Sequence, residues 1–136
     1  MSDKEVTDVV TAGEPIFKLP EFEVIPGSFI KILSEQSNYN EGLSNVPHMW
    51  QKTKGAGVKI VILDTGLPDH LDIDVDNAHG KDFVGEGLID ENGHSTHVGG
   101  VIHATAGNGM GIRGIAHEAE VFYGKVLGKA GGGGVS

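Results

Sequence analysis

Apolar and polar positions divide this chain into segments of different character. The run Val58-Lys59-Ile60-Val61-Ile62-Leu63 is almost continuously apolar and β-branched, which predicts a buried strand rather than a helix. After His94 the apolar positions Val98, Val101 and Ile102 recur at helical spacing, and Gly107-Asn108-Gly109 ends that helix. Glu120–Leu127, with Val121, Phe122, Tyr123 and Val126, reads as a second strand. Val46–Lys52 predicts one or two helical turns, closed by Gly55 and Gly57. Between the first strand and the helix, residues 66–93 are turn-rich and acidic, and no element is expected there. Upstream, residues 1–23 lack periodicity, Phe22–Leu33 reads as extended chain broken at Pro26-Gly27, and Ser34–Asn45 as a polar loop. Strand, helix and strand in that order predict a βαβ-type layered fold with a parallel sheet.

Composition narrows the function classes. A length of 136 residues suffices for one domain with a core. The net charge of −9, with no basic patch, argues against nucleic acid as a partner. Zero cysteines exclude a disulfide framework, a thiol nucleophile and thiolate metal sites. The N-terminus lacks a basic segment followed by an apolar one, so no secretory signal is expected. No apolar stretch approaches the length of a membrane span. A soluble, cytoplasmic protein without membrane contact is the expectation.

The candidate chemistry lies at two element ends. Asp64 closes the Val58–Leu63 run inside Asp64-Thr65-Gly66, and His94 opens the helix inside Asn92-Gly93-His94-Ser95-Thr96-His97-Val98-Gly99-Gly100. Ligand sites gather at the carboxyl ends of parallel strands. Imidazole titrates near neutral pH and can take a hydroxyl proton, while a carboxylate behind it holds one tautomer and stabilises the imidazolium. Three other patterns are set aside. Gly109-Met110-Gly111-Ile112-Arg113-Gly114 matches a dinucleotide fingerprint, but a helix precedes it and a strand follows, the reverse of what that motif needs. His94, His97 and His103 lack a familiar zinc spacing. The acidic stretch 69–91 lacks the register of an EF-hand.

Taken together, these motifs resemble those of the subtilisin-like serine proteases, the subtilases. Val58–Gly66 resembles the family's aspartate motif, and the segment around His94 its His-Gly-Thr-His-Val-Ala-Gly block. Gly111–His117 resembles its Gly-Val-x-Gly-Val-Ala-Pro segment, and Lys125-Val126-Leu127-Gly128 its Lys-Val-Leu strand end. Three positions depart from the pattern: Ser95 and Gly99 in the histidine block, and His117 at the usual proline. Of these, Ser95 adds a side chain beside the base, whereas Gly99 costs only helix propensity.

The resemblance implies a three-layer α/β/α sandwich with a parallel sheet, incomplete at the C-terminus. It divides the chain into residues 1–45, an N-terminal arm or short propeptide-like extension, and residues 46–136, the N-terminal portion of the catalytic domain. It implies a serine endopeptidase acting on polypeptide substrates, with Asp64 as orienting carboxylate and His94 as general base. His97 is expected to be a buried structural residue. Leu127 would line a specificity pocket, and Gly131, Gly132 and Gly133 would pair with the substrate backbone, although four glycines in a row also suit a plain flexible loop. A structural calcium held by Asp72 and Asn108 is implied, and no catalytic cofactor. Val24-Ile25-Pro26-Gly27 echoes the inhibitory Leu-Ile-Pro-Tyr-like motif of intracellular members, which suggests an intramolecular N-terminal inhibitory segment. The family's Gly-Thr-Ser-Met-Ala nucleophile motif does not occur in the 136 residues. The expectation is therefore a fragment of a protease, inactive alone; the alternative is a short binding or inhibitory module, or half of a split protease.

Overall fold

A computed structural model describes residues 17–18, 35 and 44–134. Its elements are strand β1 (Phe17–Lys18), helix α1 (Val46–Trp50), strand β2 (Lys59–Asp64), a 3-10 turn (Asn77–His79), strand β3 (Gly80–Asp82), helix α2 (His94–His103), strand β4 (Glu120–Lys125) and strand β5 (Gly132–Gly133). The extended segment expected over Phe22–Leu33 and the Val24–Gly27 echo lie outside the described residues.

β2, β4 and β3 form a parallel sheet in that order, with β4 in the middle. The expected βαβ unit is present: β2 leads into α2, and α2 returns to β4 beside β2. In this register Asp64 faces Lys125 and Ile62 faces Tyr123. β4 ends two residues earlier than Glu120–Leu127. The amides of Val126 and Leu127 both turn to the Asp64 carbonyl instead of continuing the ladder.

The core lies between the sheet and α2. Ile62, Leu67, Val121 and Tyr123 are buried there, with Val98 and Ile102 of α2 packed against them. β2 is half-buried rather than wholly buried as expected. Ile62 and Asp64 point inward, while Val61 and Leu63 are each 63% exposed on the other face. The strand's period of two separates the faces, and among the described residues only one face is covered. Phe83 lies exposed on that same open side, near Leu63 and Phe122.

α2 packs closely because two glycines give it room. A Cβ on Gly99 would stand 2.2 Å from the Tyr123 hydroxyl, and one on Gly114 would stand 2.4 Å from the His103 Cα. Gly99 therefore does more than lower helix propensity: it admits Tyr123, whose hydroxyl hydrogen-bonds His103. His97 is exposed, not buried as expected. The inward stripe of α2 is Ser95, Gly99 and His103, spaced by four, and His97 falls on the opposite side.

Candidate active site

β2 delivers Asp64 to its carboxyl end, where the side chain is buried. α2 begins at His94, whose side chain is 34% exposed. The His94 Nδ1–H donates to both carboxylate oxygens, 2.8 Å to Oδ2 and 3.0 Å to Oδ1. The Thr65 amide also donates to Oδ1, at 2.6 Å. With the proton on Nδ1, the Nε2 of a neutral imidazole keeps its lone pair for a proton acceptor's role. The structure thus brings together the two residues the sequence singles out. It gives them the chemistry of an oriented base.

The start of α2 is built unusually. Its N-cap is Gly93, in the left-handed region at φ 92°, with no side chain to cap the helix. The first four amides of a helix have no intrahelical acceptor, and here side chains from outside supply all of them. Gly93 N donates to Asp90 Oδ1 and Thr96 N to Asp90 Oδ2. His94 N donates to Asn92 Oδ1 and Ser95 N to Thr65 Oγ1. Asp90 enters this position through Gly66, where an added Cβ would stand 2.7 Å from Leu88 O and 2.9 Å from Asp90 N. The glycine of Asp64-Thr65-Gly66 is required by this close backbone approach. Nothing in the sequence singles out Asp90, because it sits among many acidic residues in a turn-rich stretch. The available signal was a glycine at the N-cap, four residues beyond the strand-like Leu88-Ile89.

Ser95 is wholly buried, and its Oγ finds no hydrogen-bond partner among the described residues. Its effect is therefore a cost in stability, since an unsatisfied buried hydroxyl forfeits about 1–3 kcal/mol. Lys125 is also wholly buried; its Nζ donates to the Ile89 carbonyl and ties β4 to the segment that carries Asp90.

The glycine segment folds back on the end of β4. Gly128 N donates to Gly132 O, and Gly131, at φ 75°, closes the turn through Gly128 O. Gly132 and Gly133 form β5, while Gly131 lies in the turn before it. A Cβ on Gly133 would meet Leu127 Cδ2 and Val126 O, each at 2.7 Å, so Leu127 packs under the strand. Two side chains fix the turn: the Glu86 carboxylate accepts from Lys129 N, and Asn92 Nδ2 donates to Lys129 O. Asn92 thus spans from the His94 amide to the glycine segment. β5 pairs antiparallel with β1, Phe17 opposite Gly133 and Lys18 opposite Gly132. The arm therefore meets the glycines at Phe17 and Lys18, upstream of the Val24–Gly27 echo.

Asp72 and Asn108, the two residues expected to hold a structural calcium, meet in a direct hydrogen bond. The Asn108 amide nitrogen donates to Asp72 Oδ1 at 2.7 Å, and Ile112 N donates to Oδ2 at 3.0 Å. Asn108 Oδ1 is itself taken by Met110 N, which fixes which end of the amide faces Asp72. Among the described residues no group of three acidic or histidine side chains is positioned for a metal. The Asp72 carboxylate thus helps pin the loop after α2, which Glu35 also holds through Gly107 N and Arg113 Nε.

Comparison with known proteins places these features in a family. Residues 55–136 match the model of the subtilase family. An intracellular serine protease of Paenibacillus polymyxa is 37% identical over 119 residues, covering 81% of this chain and 36% of that protein. The major intracellular serine protease of Bacillus subtilis is 36% identical over 124 residues, covering 84% of this chain and 39% of that protein. Subtilisin Savinase of Lederbergia lenta is 46% identical over 84 residues, covering 60% of this chain and 30% of that protein. A solved structure of a protease from Pseudoalteromonas arctica superposes with a TM-score of 0.51 at 29% identity, over 65% of this chain and 34% of that one. The chain spans about a third of the length of these relatives. A match covering 81% or more of the chain cannot be contained in residues 55–136. Similarity to the two intracellular proteases therefore extends into the N-terminal arm.

Proposed function

We propose, since the chain belongs to the subtilase family, that it carries the Asp–His half of the catalytic triad of a serine endopeptidase whose nucleophilic serine lies outside these 136 residues. The observation that carries this reading is the double contact of His94 Nδ1 with the buried Asp64 carboxylate. In the reaction His94 Nε2 takes the serine hydroxyl proton as the oxygen attacks the scissile carbonyl. It then delivers that proton to the leaving amine. Asp64 keeps Nδ1 protonated throughout and stabilises the imidazolium; it does not itself take the proton.

The test is His94→Ala in the full-length protein. Loss of the base costs a subtilisin about 10⁶ in kcat, and peptide hydrolysis is expected to fall on that scale with the circular dichroism spectrum unchanged. Full retained activity would falsify the assignment.

A polypeptide substrate fits the same site. Gly132 and Gly133 offer backbone groups at a strand edge, and adding an extended chain to such an edge is a general mode of peptide recognition. The pairing of β1 with these glycines supports a further part of the reading: the N-terminal arm occupies the substrate's strand and restrains the enzyme from within. Removing residues 1–23 from the full-length protein is expected to lower KM for a peptide substrate, and an unchanged KM would remove the arm from this role. The similarity to two intracellular proteases supports the cytoplasm as the place of action. No helix among the described residues is long and apolar enough to cross a membrane.

A further inference from the structure

We propose that Asp90 is a positioning residue for the general base, coupled to it through Thr65. The inference rests on the assignment of His94 as base. The two members of the pair come from different elements, Asp64 from the end of β2 and His94 from the start of α2. Their separation is set by whatever joins those ends. Thr65, the residue after Asp64, is wholly buried, and its hydroxyl donates to Asp90 Oδ1 at 2.8 Å while accepting from Ser95 N at 3.1 Å. Asp90 Oδ1 also accepts the amides of Asn92 and Gly93, and Oδ2 accepts both the amide and the hydroxyl of Thr96. One carboxylate therefore receives five hydrogen bonds, one from the strand end and four from the residues around the start of the helix.

This carboxylate does for α2 what its glycine N-cap cannot, and it adds a fixed link to the strand. A backbone helix cap would satisfy the amides without any tie to β2. The Thr65 hydroxyl supplies that tie, and it does so on the residue next to the orienting aspartate. Burial alone would push the Asp90 carboxyl up; hydrogen bonds from Thr96, Gly93 and Thr65 outweigh it and hold the group below its usual range. The carboxylate thus stays an acceptor at any pH where imidazole can act as a base. Displacing an aligned catalytic group by about 1 Å can cost on the order of 10²-fold in rate, so the link has catalytic leverage without touching substrate.

Three substitutions in the full-length protein test it, with His94→Ala as control. Asp90→Asn removes an acceptor oxygen from the node. Thr65→Val removes the hydroxyl, and with it both the bond to Asp90 and the one from Ser95 N, at nearly constant shape, and Thr65→Ser restores it. Asp90→Asn and Thr65→Val are each expected to lower kcat about tenfold or more, with KM nearly unchanged and the acid limb of the pH–rate profile moved to lower pH. The double variant should lose no more than the worse single one, and Thr65→Ser should recover most of the rate. If Asp90→Asn fails to fold, the Thr65 pair carries the same test. Lowered thermal stability with kcat and the acid limb intact would overturn the inference. Undiminished activity of His94→Ala would instead overturn the assignment of the base, and the two failures are distinguishable.

Discussion

The two ends of α2 each present a histidine, and the two stand in opposite settings. His94 opens the helix, is part-exposed, and faces a carboxylate. His103 closes it, is buried, and shares a hydrogen bond with the Tyr123 hydroxyl. A helix C-terminus favours a protonated histidine by about 0.3–1 kcal/mol. Burial wins at His103, with His79 nearby adding repulsion, and together they push it down to about 4 from 6.5. That displacement corresponds to about 3 kcal/mol. Burial likewise pushes the Tyr123 phenol up, so the pair is neutral throughout the working range. The partner's charge and its exposure, more than the position on the helix, distinguish the proposed base from a packing residue.

The largest test of this comparison is at the His94 end. Asp64→Asn keeps the shape but presents the wrong hydrogen-bonding partner to Nδ1, and kcat in the full-length protein is expected to fall about 10⁴-fold. Peptide hydrolysis within tenfold of the parent would show that the carboxylate's charge is not what distinguishes His94.

At the inert end the effect appears as stability against pH. His103 in the folded chain has its protonation constant depressed below the unfolded value, so the unfolded state binds more protons between about pH 6.5 and 4. The contribution of the neutral histidine is complete above 6.5 and is lost as the pH falls through that window, by up to about 3 kcal/mol. Denaturant unfolding at pH 7 and pH 4.5 should show this loss in the parent and a flatter response in His103→Gln. Equal slopes would mean that another group controls the acid limb.

Smaller effects come from the inward stripe between the two histidines. Gly99→Ala improves helix propensity by up to about 1 kcal/mol, yet its Cβ meets the Tyr123 hydroxyl. Overpacking of this kind costs about 1–3 kcal/mol, and a net drop in unfolding free energy is expected. Ser95→Ala should act in the opposite direction, raising stability by about 1 kcal/mol through removal of an unpartnered buried hydroxyl. A melting temperature that rises in the first or falls in the second would sink the packing account of that variant.

What could be read from the sequence depended on how local the cause was. β2, α2 and β4 announce themselves through apolar spacing, and the ends of β2 and α2 carry Asp64 and His94. β3 did not, because Gly80-Lys81-Asp82 has no apolar alternation and is a strand only by pairing with β4. His97 was misread because helical spacing gives a period and not its phase; Tyr123, far along the chain, decides which side of α2 faces in. Asp90 stayed hidden for the same reason, since nothing local to it names Thr65 as partner. Asp72 and Asn108 lie 36 residues apart, and the fold brings them together. Their amide hydrogen bonds, which decide how that pairing is used, depend on the course of residues 110–112.

β5 carries a last consequence. Its two residues are glycines, so the edge that receives another strand displays amides and carbonyls with no side chain of its own. Backbone pairing supplies affinity, and discrimination between sequences has to come from pockets for side chains. A surface of this kind offers an extended segment backbone partners and sets no side-chain requirement of its own.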